Sequence, residues 1–127
     1  MKEKIKLSIL VLFLNISNFA QDFKTFEKGL ITNETKLDLI STKKRGIQTK
    51  KKEIYYVEKN NQTISAYLNG MIKWKINVIK EFGKPKVGKP EIRFIELKKN
   101  IIFVTFGKHS FAEINASNGK AKFIGVD

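Results

Sequence analysis

The chain has 127 residues, no cysteine, and a formal charge of +13 from 25 Lys and Arg against 12 Asp and Glu. That length suits one domain with one modest core, and the lack of cysteine excludes a disulfide scaffold, so packing and backbone hydrogen bonds must hold the fold. His109 is the single histidine and has neither a metal-ligand partner nor a recognisable nucleophile context beside it, so the expectation is a non-enzymatic protein with no cofactor and no metal.

The first twenty residues have the layout of a secretory signal peptide. Lys2, Lys4 and Lys6 form a charged start, an apolar run of about fifteen residues follows over 5–19, and Ala20 precedes a polar stretch beginning Gln21-Asp22. The run is short of the roughly 20 apolar residues a bilayer span needs and is interrupted by Asn15, Ser17 and Asn18. A signal-peptide helix cleaved after Ala20 is expected, with an uncleaved anchor as the alternative and no stable transmembrane segment once cleavage has occurred. Residues 21–127 then form a single small β-domain. Removing Lys2, Lys4, Lys6 and Glu3 lowers the formal charge only from +13 to +11, so the basic character belongs to this domain. A cysteine-free exported domain fits bacterial export to the periplasm or the extracellular space. The acceptor-like triplets at Asn33, Asn61 and Asn115 read as turn residues in an Asn-rich and Thr-rich chain.

Within 21–53, residues 22–30 read as either a strand or one amphipathic helical turn with Phe23 and Phe26 packing. Residues 36–41 alternate, with Leu37 and Leu39 on one side of a short strand. The stretch 41–52, Ser-Thr-Lys-Lys-Arg-Gly-Ile-Gln-Thr-Lys-Lys-Lys, reads as a charge-dense solvated loop or hairpin.

Residues 54–127 read as strands throughout. Over 71–79, Ile72, Trp74, Ile76 and Val78 alternate with Lys73, Lys75 and Asn77, a period of two that puts the apolar set on one face. Asn69-Gly70 before them adopts positive φ readily, so a tight hairpin with 63–68 is predicted. A second hairpin pairs 111–116 with 121–126 around Ser117-Asn118-Gly119, with 101–106 leading in. The expected core is Ile72, Trp74, Ile76, Val78, Ile102, Val104, Ile114 and Phe123. The expected fold is all-β and mainly antiparallel, about seven or eight strands as a meander or two packed propeller-blade-like sheets.

The two hairpins repeat. Ile54-Tyr-Tyr-Val, Ile64-Ser-Ala-Tyr, Asn69-Gly70 and Trp74 correspond to Ile102-Phe-Val-Thr, Phe111-Ala-Glu-Ile, Asn118-Gly119 and Phe123, with Gly70 to Gly119 and Trp74 to Phe123 both 49 residues apart. A period in the forties made of short strands is a propeller signature. The phrases Ala66-Tyr-Leu-Asn-Gly-Met-Ile-Lys-Trp and Ile114-Asn-Ala-Ser-Asn-Gly-Lys-Ala-Lys-Phe resemble the repeats of quinoprotein-type (PQQ-like) β-propellers. The resemblance covers 54–127 and implies about two blades, too few to close a ring, so it implies the sheet and neither the quinone cofactor nor the family's activity.

Residues 83–90, Gly-Lys-Pro-Lys-Val-Gly-Lys-Pro, match seven positions of a phosphate-binding loop and fail at Pro90, where Ser or Thr would hold magnesium. They read instead as a duplicated Gly-Lys-Pro turn linking two sheets. Lys43, Lys44, Arg45, Lys50, Lys51 and Lys52 form the candidate anion-contacting patch, with Lys80, Lys84, Lys86 and Lys89 as a second basic segment. The partners such a field suits are acidic polysaccharide, lipopolysaccharide, nucleic acid or an acidic protein. Most aromatic residues share faces with aliphatic ones and read as core, but Tyr55 and Tyr56 point to opposite faces, so at least one is expected to be exposed to a ligand. The expected function is an exported binding or interaction protein with a basic surface. The alternative is a structural or envelope-associated β-protein acting by self-association or strand addition.

Overall fold

The computed structural model describes residues 23–127, so the expected leader and its cleavage point lie outside the described residues. An extended strap over residues 23–27 leads into a single 3-10 turn, Lys28–Leu30. The strands follow as β1 (Ile31–Thr32), β2 (Lys36–Asp38), β3 (Gly46–Gln48), β4 (Glu53–Val57), β5 (Thr63–Leu68) and β6 (Met71–Asn77). A short helix α1 (Val78–Phe82) precedes β7 (Ile92–Lys98), β8 (Ile101–Phe106), β9 (Ser110–Asn115) and β10 (Ala121–Val126). No helix among the described residues is long and apolar enough to cross a membrane.

The strands form two five-stranded sheets, ordered β1-β3-β4-β5-β6 and β10-β9-β8-β7-β2. Strands β3 to β6 make one antiparallel four-stranded meander, and β7 to β10 make a second. The segment before them divides between the two. Strand β1 pairs in parallel with β3, while β2 pairs antiparallel with β7. The all-β architecture is therefore two packed, mainly antiparallel sheets.

The inner faces share one core. Ile47, Tyr55, Val57, Ile64 and Ala66 of the first sheet meet Leu37, Ile95, Ile102, Val104, Phe106, Ala112 and Ile114 of the second. The period of two is clearest on β8, where Ile102, Val104 and Phe106 are buried and the residues between them are not. Each such aliphatic side chain removed from water contributes about 1.5–3 kcal/mol, which offsets the chain entropy that a cysteine-free domain must overcome without cross-links. Leu37 is buried and Leu39 packs against the core, as the short alternation at 36–41 predicts.

The Asn69-Gly70 turn forms as expected, with φ of 52° and 81° joining β5 to β6. The second hairpin uses a longer loop. Asn115 Oδ1 accepts from the N–H groups of Ser117 and Asn118, and the Gly119 N–H donates to Asn115 O.

Two expected core residues are on the surface. Ile72 is 49% exposed because β6 carries a bulge at Lys73. Trp74 pairs with Ala66 and Ile72 with Tyr67, so two residues of the same sequence parity fall on opposite faces. Phe123 is 43% exposed because β10 is an edge strand. Its ring still leans inward, 5.7 Å from the Phe82 ring and 6.3 Å from that of Phe106. Trp74 and Ile76 are half-buried against the core, and Val78, Ile102, Val104 and Ile114 are fully buried. Val78 reaches its place from a helix, since β6 ends at Asn77, whose side chain accepts from the N–H groups of Ile79 and Lys80 and starts α1.

The stretch 41–52 is not all loop. Gly46 and Ile47 are buried on β3, between β1 and β4, and the flanking lysines concealed this strand. Tyr55 and Tyr56 do point to opposite faces, yet both are buried. Tyr55 stacks on Trp74 at 6.1 Å, and Tyr56 lies beneath the strap, its ring 4.9 Å from that of Phe26. The first sheet is thus covered by the second sheet on one face and, over Tyr56 and Tyr67, by residues 23–27 on the other.

Candidate anion-binding cleft

The six basic residues singled out from the sequence do not share one surface. Strand β3, roughly 10 Å long, separates Lys43, Lys44 and Arg45 from Lys50, Lys51 and Lys52. Lys44 Nζ donates to the carbonyls of Gly29 and Ile31, each at 3.4 Å, and so fastens the chain at β1. Lys50 and Lys52 line a cleft of about 550 Å³ with Glu34, Ile47 and Leu97. Lys43 and Lys51 are exposed.

Arg45 belongs to a different cleft, of about 420 Å³, where it converges with Lys89, Arg93 and Lys108. These four cations come from three stretches of chain, Arg45 from the β2–β3 connection, Lys89 and Arg93 from residues 88–93 and Lys108 from the β8–β9 turn, and Glu91 is the one carboxylate among the lining residues. Leu39, Ile40 and Ile92 supply apolar wall.

Each segment is positioned by a local device. Arg45 donates from Nε and Nη2 to the Val57 carbonyl at 3.2 and 3.0 Å, which holds its planar fork against the end of β4. Arg93 is the bulged residue of β7. Its neighbours Ile92 and Phe94 pair with Phe106 and Thr105, so Arg93 has no register partner on β8, while its carbonyl accepts from the Leu39 N–H at 2.9 Å on the β2 side, and the bulge re-aims its side chain. Lys89 and Lys108 are brought together because the 83–90 loop lies along the β8–β9 turn: the Lys108 N–H donates to Val87 O at 2.8 Å and the Gly107 N–H to Glu91 O at 2.9 Å.

The field of the cleft reaches its neighbour Asp38. The Ile40 N–H donated to it at 2.9 Å and, more weakly, the charge of Arg93 hold that carboxyl below its usual range. Among the described residues, the ion pairs are Lys24–Glu58, Lys36–Glu96 and Lys73–Glu53, and none involves a cation of the cleft. Four cations facing one carboxylate give a concave surface that attracts anions, and the guanidinium of Arg93 can meet a planar carboxylate, sulfate or phosphate edge with paired donors.

Among the described residues, no group of three or more His, Asp or Glu side chains is placed to hold a metal ion. The 83–90 stretch is a loop joining α1 to β7, and a strand follows it, so the helix that a phosphate-binding loop requires is not there. The sequence pointed to Arg45 and Lys89 as parts of separate basic runs and passed over Arg93 and Lys108, which stand in no run. No family model, curated protein or solved structure matches the chain.

Proposed function

We propose that this protein is an exported, non-enzymatic module that binds an anionic polymer through the cleft of Arg45, Lys89, Arg93 and Lys108. The convergence of four cations from three stretches of chain beside a single carboxylate carries this reading. A lysine-rich composition alone scatters charge over every free face, whereas here two backbone devices, a bulge and a loop-to-turn contact, turn charge into one concavity. The acidic units the cleft suits are those of a polysaccharide, lipopolysaccharide or nucleic acid.

The relationship to quinoprotein-type propeller repeats that the sequence suggests rests, at the level of the sheet, on the repetition of a four-stranded antiparallel meander. The edges favour binding through the cleft over strand addition. Of the four edge strands, β1 and β2 are only two and three residues long, and β6 and β10 are irregular, at Lys73 and at Ile124; short, bulged and lysine-bearing edges resist further pairing.

The test is retention on heparin and on a plain cation exchanger across a salt gradient. The triple variant Lys89→Gln, Arg93→Gln, Lys108→Gln is compared with Lys50→Gln, Lys51→Gln, Lys52→Gln, which removes the same charge elsewhere. The wild type should elute from heparin at clearly higher salt than from the exchanger, with the first variant losing that excess and the second keeping it. Equal loss in both variants would show general surface charge and no cleft.

A further inference from the structure

On the outer face of the first sheet, the strap and the β4–β5 hairpin enclose an ammonium group. Lys24 Nζ lies 4.7 Å from the ring centroid of Tyr56, 5.1 Å from that of Tyr67 and 5.2 Å from that of Phe26. It also donates to Glu58 Oε2 at 3.1 Å, while Tyr67 Oη donates to Glu58 Oε1 at 2.9 Å. Three aromatic faces with a hydrogen-bonded carboxylate between them is the arrangement that recognises alkylammonium groups in general. In this chain the ammonium it holds is the chain's own.

Most of the cage does not depend on Lys24. Tyr56, Glu58 and Tyr67 stand on the hairpin of β4 and β5, whose pairing includes Tyr56 with Ser65 and continues through the Glu58 N–H donated to Thr63 O. Ser65 Oγ sits beneath the same carboxylate, buried and with no partner in hydrogen-bond geometry, although near enough to favour the ionised form of Glu58. The third ring, Phe26, rides on the strap, and the strap is held by a backbone bond from the Lys24 N–H to Gly70 O at 2.8 Å, which survives if the lysine side chain swings away. The cage also opens outward, since the Lys24 side chain is 37% exposed and that of Glu58 25%.

We propose that Phe26, Tyr56, Tyr67 and Glu58 form a binding site for an alkylammonium group, primary or quaternary, which Lys24 fills in cis and which a ligand takes by displacing the Lys24 side chain. The tether gives Lys24 an effective concentration on the order of millimolar, so the site answers only to ligands that outcompete it or to a chain in which Lys24 has been neutralised.

The experiment titrates the purified protein and its Lys24→Ala variant with n-butylammonium and tetramethylammonium chloride at constant ionic strength, following the Tyr56 and Tyr67 ring resonances by NMR. Lys24→Ala should saturate at a ligand concentration at least ten-fold lower than the wild type does, and Lys24→Ala, Glu58→Gln should show no saturation. A folded Lys24→Ala protein without a saturable shift, or undiminished binding in the Glu58→Gln double variant, would make the cage a structural fastening and overturn the proposal. Should Lys24→Ala fail to fold, the wild type decides. Saturating tetramethylammonium must then move the Lys24 side-chain signals to those of a solvated lysine, and unmoved signals at saturating probe reject the site.

Discussion

The indole of Trp74 donates from Nε1 to the carbonyl oxygen of Ala116 at 2.8 Å, tying the last strand of the first meander to the final loop of the second. Ala116 is buried, so its carbonyl has little access to water if the donor is lost. Replacing Trp74 by Phe keeps an aromatic ring and removes the N–H, leaving a buried acceptor unpaired at a cost of about 1–3 kcal/mol. Urea unfolding should show the midpoint lowered with an unchanged slope, and an unchanged midpoint would show that the bond contributes nothing to stability.

Gly119 and Gly83 both have positive φ, 76° and 88°, but differ in what surrounds them. A Cβ on Gly119 would come within 2.7 Å of the Trp74 indole, whereas one on Gly83 meets nothing within 4 Å. Gly83 also has ψ of 168°, in a region essentially only glycine enters, so Gly83→Ala should cost about 1–3 kcal/mol for backbone conformation alone, while Gly119→Ala adds a clash in which the indole has to move and its bond to Ala116 is disturbed. A Gly119→Ala loss in thermal unfolding no greater than backbone conformation accounts for would show that the loop yields to the new methyl group without resistance.

The Lys24–Glu58 pair makes stability depend on pH in a defined direction. Burial disfavours the Glu58 carboxylate, but the hydrogen bonds from Tyr67 and Lys24 outweigh it and hold its pKa below the usual value. A carboxylate with a lowered folded pKa binds fewer protons folded than unfolded, so its contribution is full above the unfolded pKa of about 4.3 and fades as pH falls through the folded value. The stability difference between wild type and Glu58→Gln should be constant near neutrality and shrink on acidification below about pH 4. A difference that grows in acid would contradict the pairing.

Tyrosine ionisation is held back at the other end of the scale. Burial, followed by the charge and hydrogen bond of a neighbouring carboxylate, raises the pKa of Tyr55 beside Glu53 and of Tyr67 beside Glu58. The unfolded chain loses these protons near pH 10 while the folded one keeps them, so stability should fall as pH rises above about 10. Spectrophotometric titration should find that Tyr55 and Tyr67 hold their protons above the usual tyrosine range. Titration of both in the usual range would show that neither hydroxyl is shielded.

Much of the sheet structure is written in local chemistry. Asn69-Gly70 and the alternations at 101–106 and 111–116 specify strands and turns because the positive φ and the period of two are properties of short segments. The bulges at Lys73 and Arg93 are not legible that way. A bulge inserts one residue without altering the apolar alternation that precedes and follows it, so Ile72 reads as a facing partner of Trp74 until the pairing with Ala66 and Tyr67 is known. Strand β3 is hidden for a different reason. Six flanking charges outweigh Gly46 and Ile47 in any window, although the burial of those two residues comes from neighbours on β1 and β4. The cleft is the least legible feature, since the stretch holding Lys89 and Arg93 meets Arg45 and Lys108 only through tertiary contacts.

The division of the first segment between the two sheets bears on what happens if the chain is cut. Residues 83–90 form the covalent link between the meanders, and Lys86, followed by Val87, is exposed there to a trypsin-like protease, whereas Lys84 precedes Pro85 and is protected. Cleavage would leave β2 in one fragment and β7 in the other, still paired at Lys36 with Glu96, Leu37 with Ile95 and Asp38 with Phe94. The two fragments also share the core and the Trp74 bond to Ala116. A nicked molecule thus keeps its halves together without the peptide bond, and the halves produced as separate chains carry the grip needed to find each other, a natural basis for a split-protein pair.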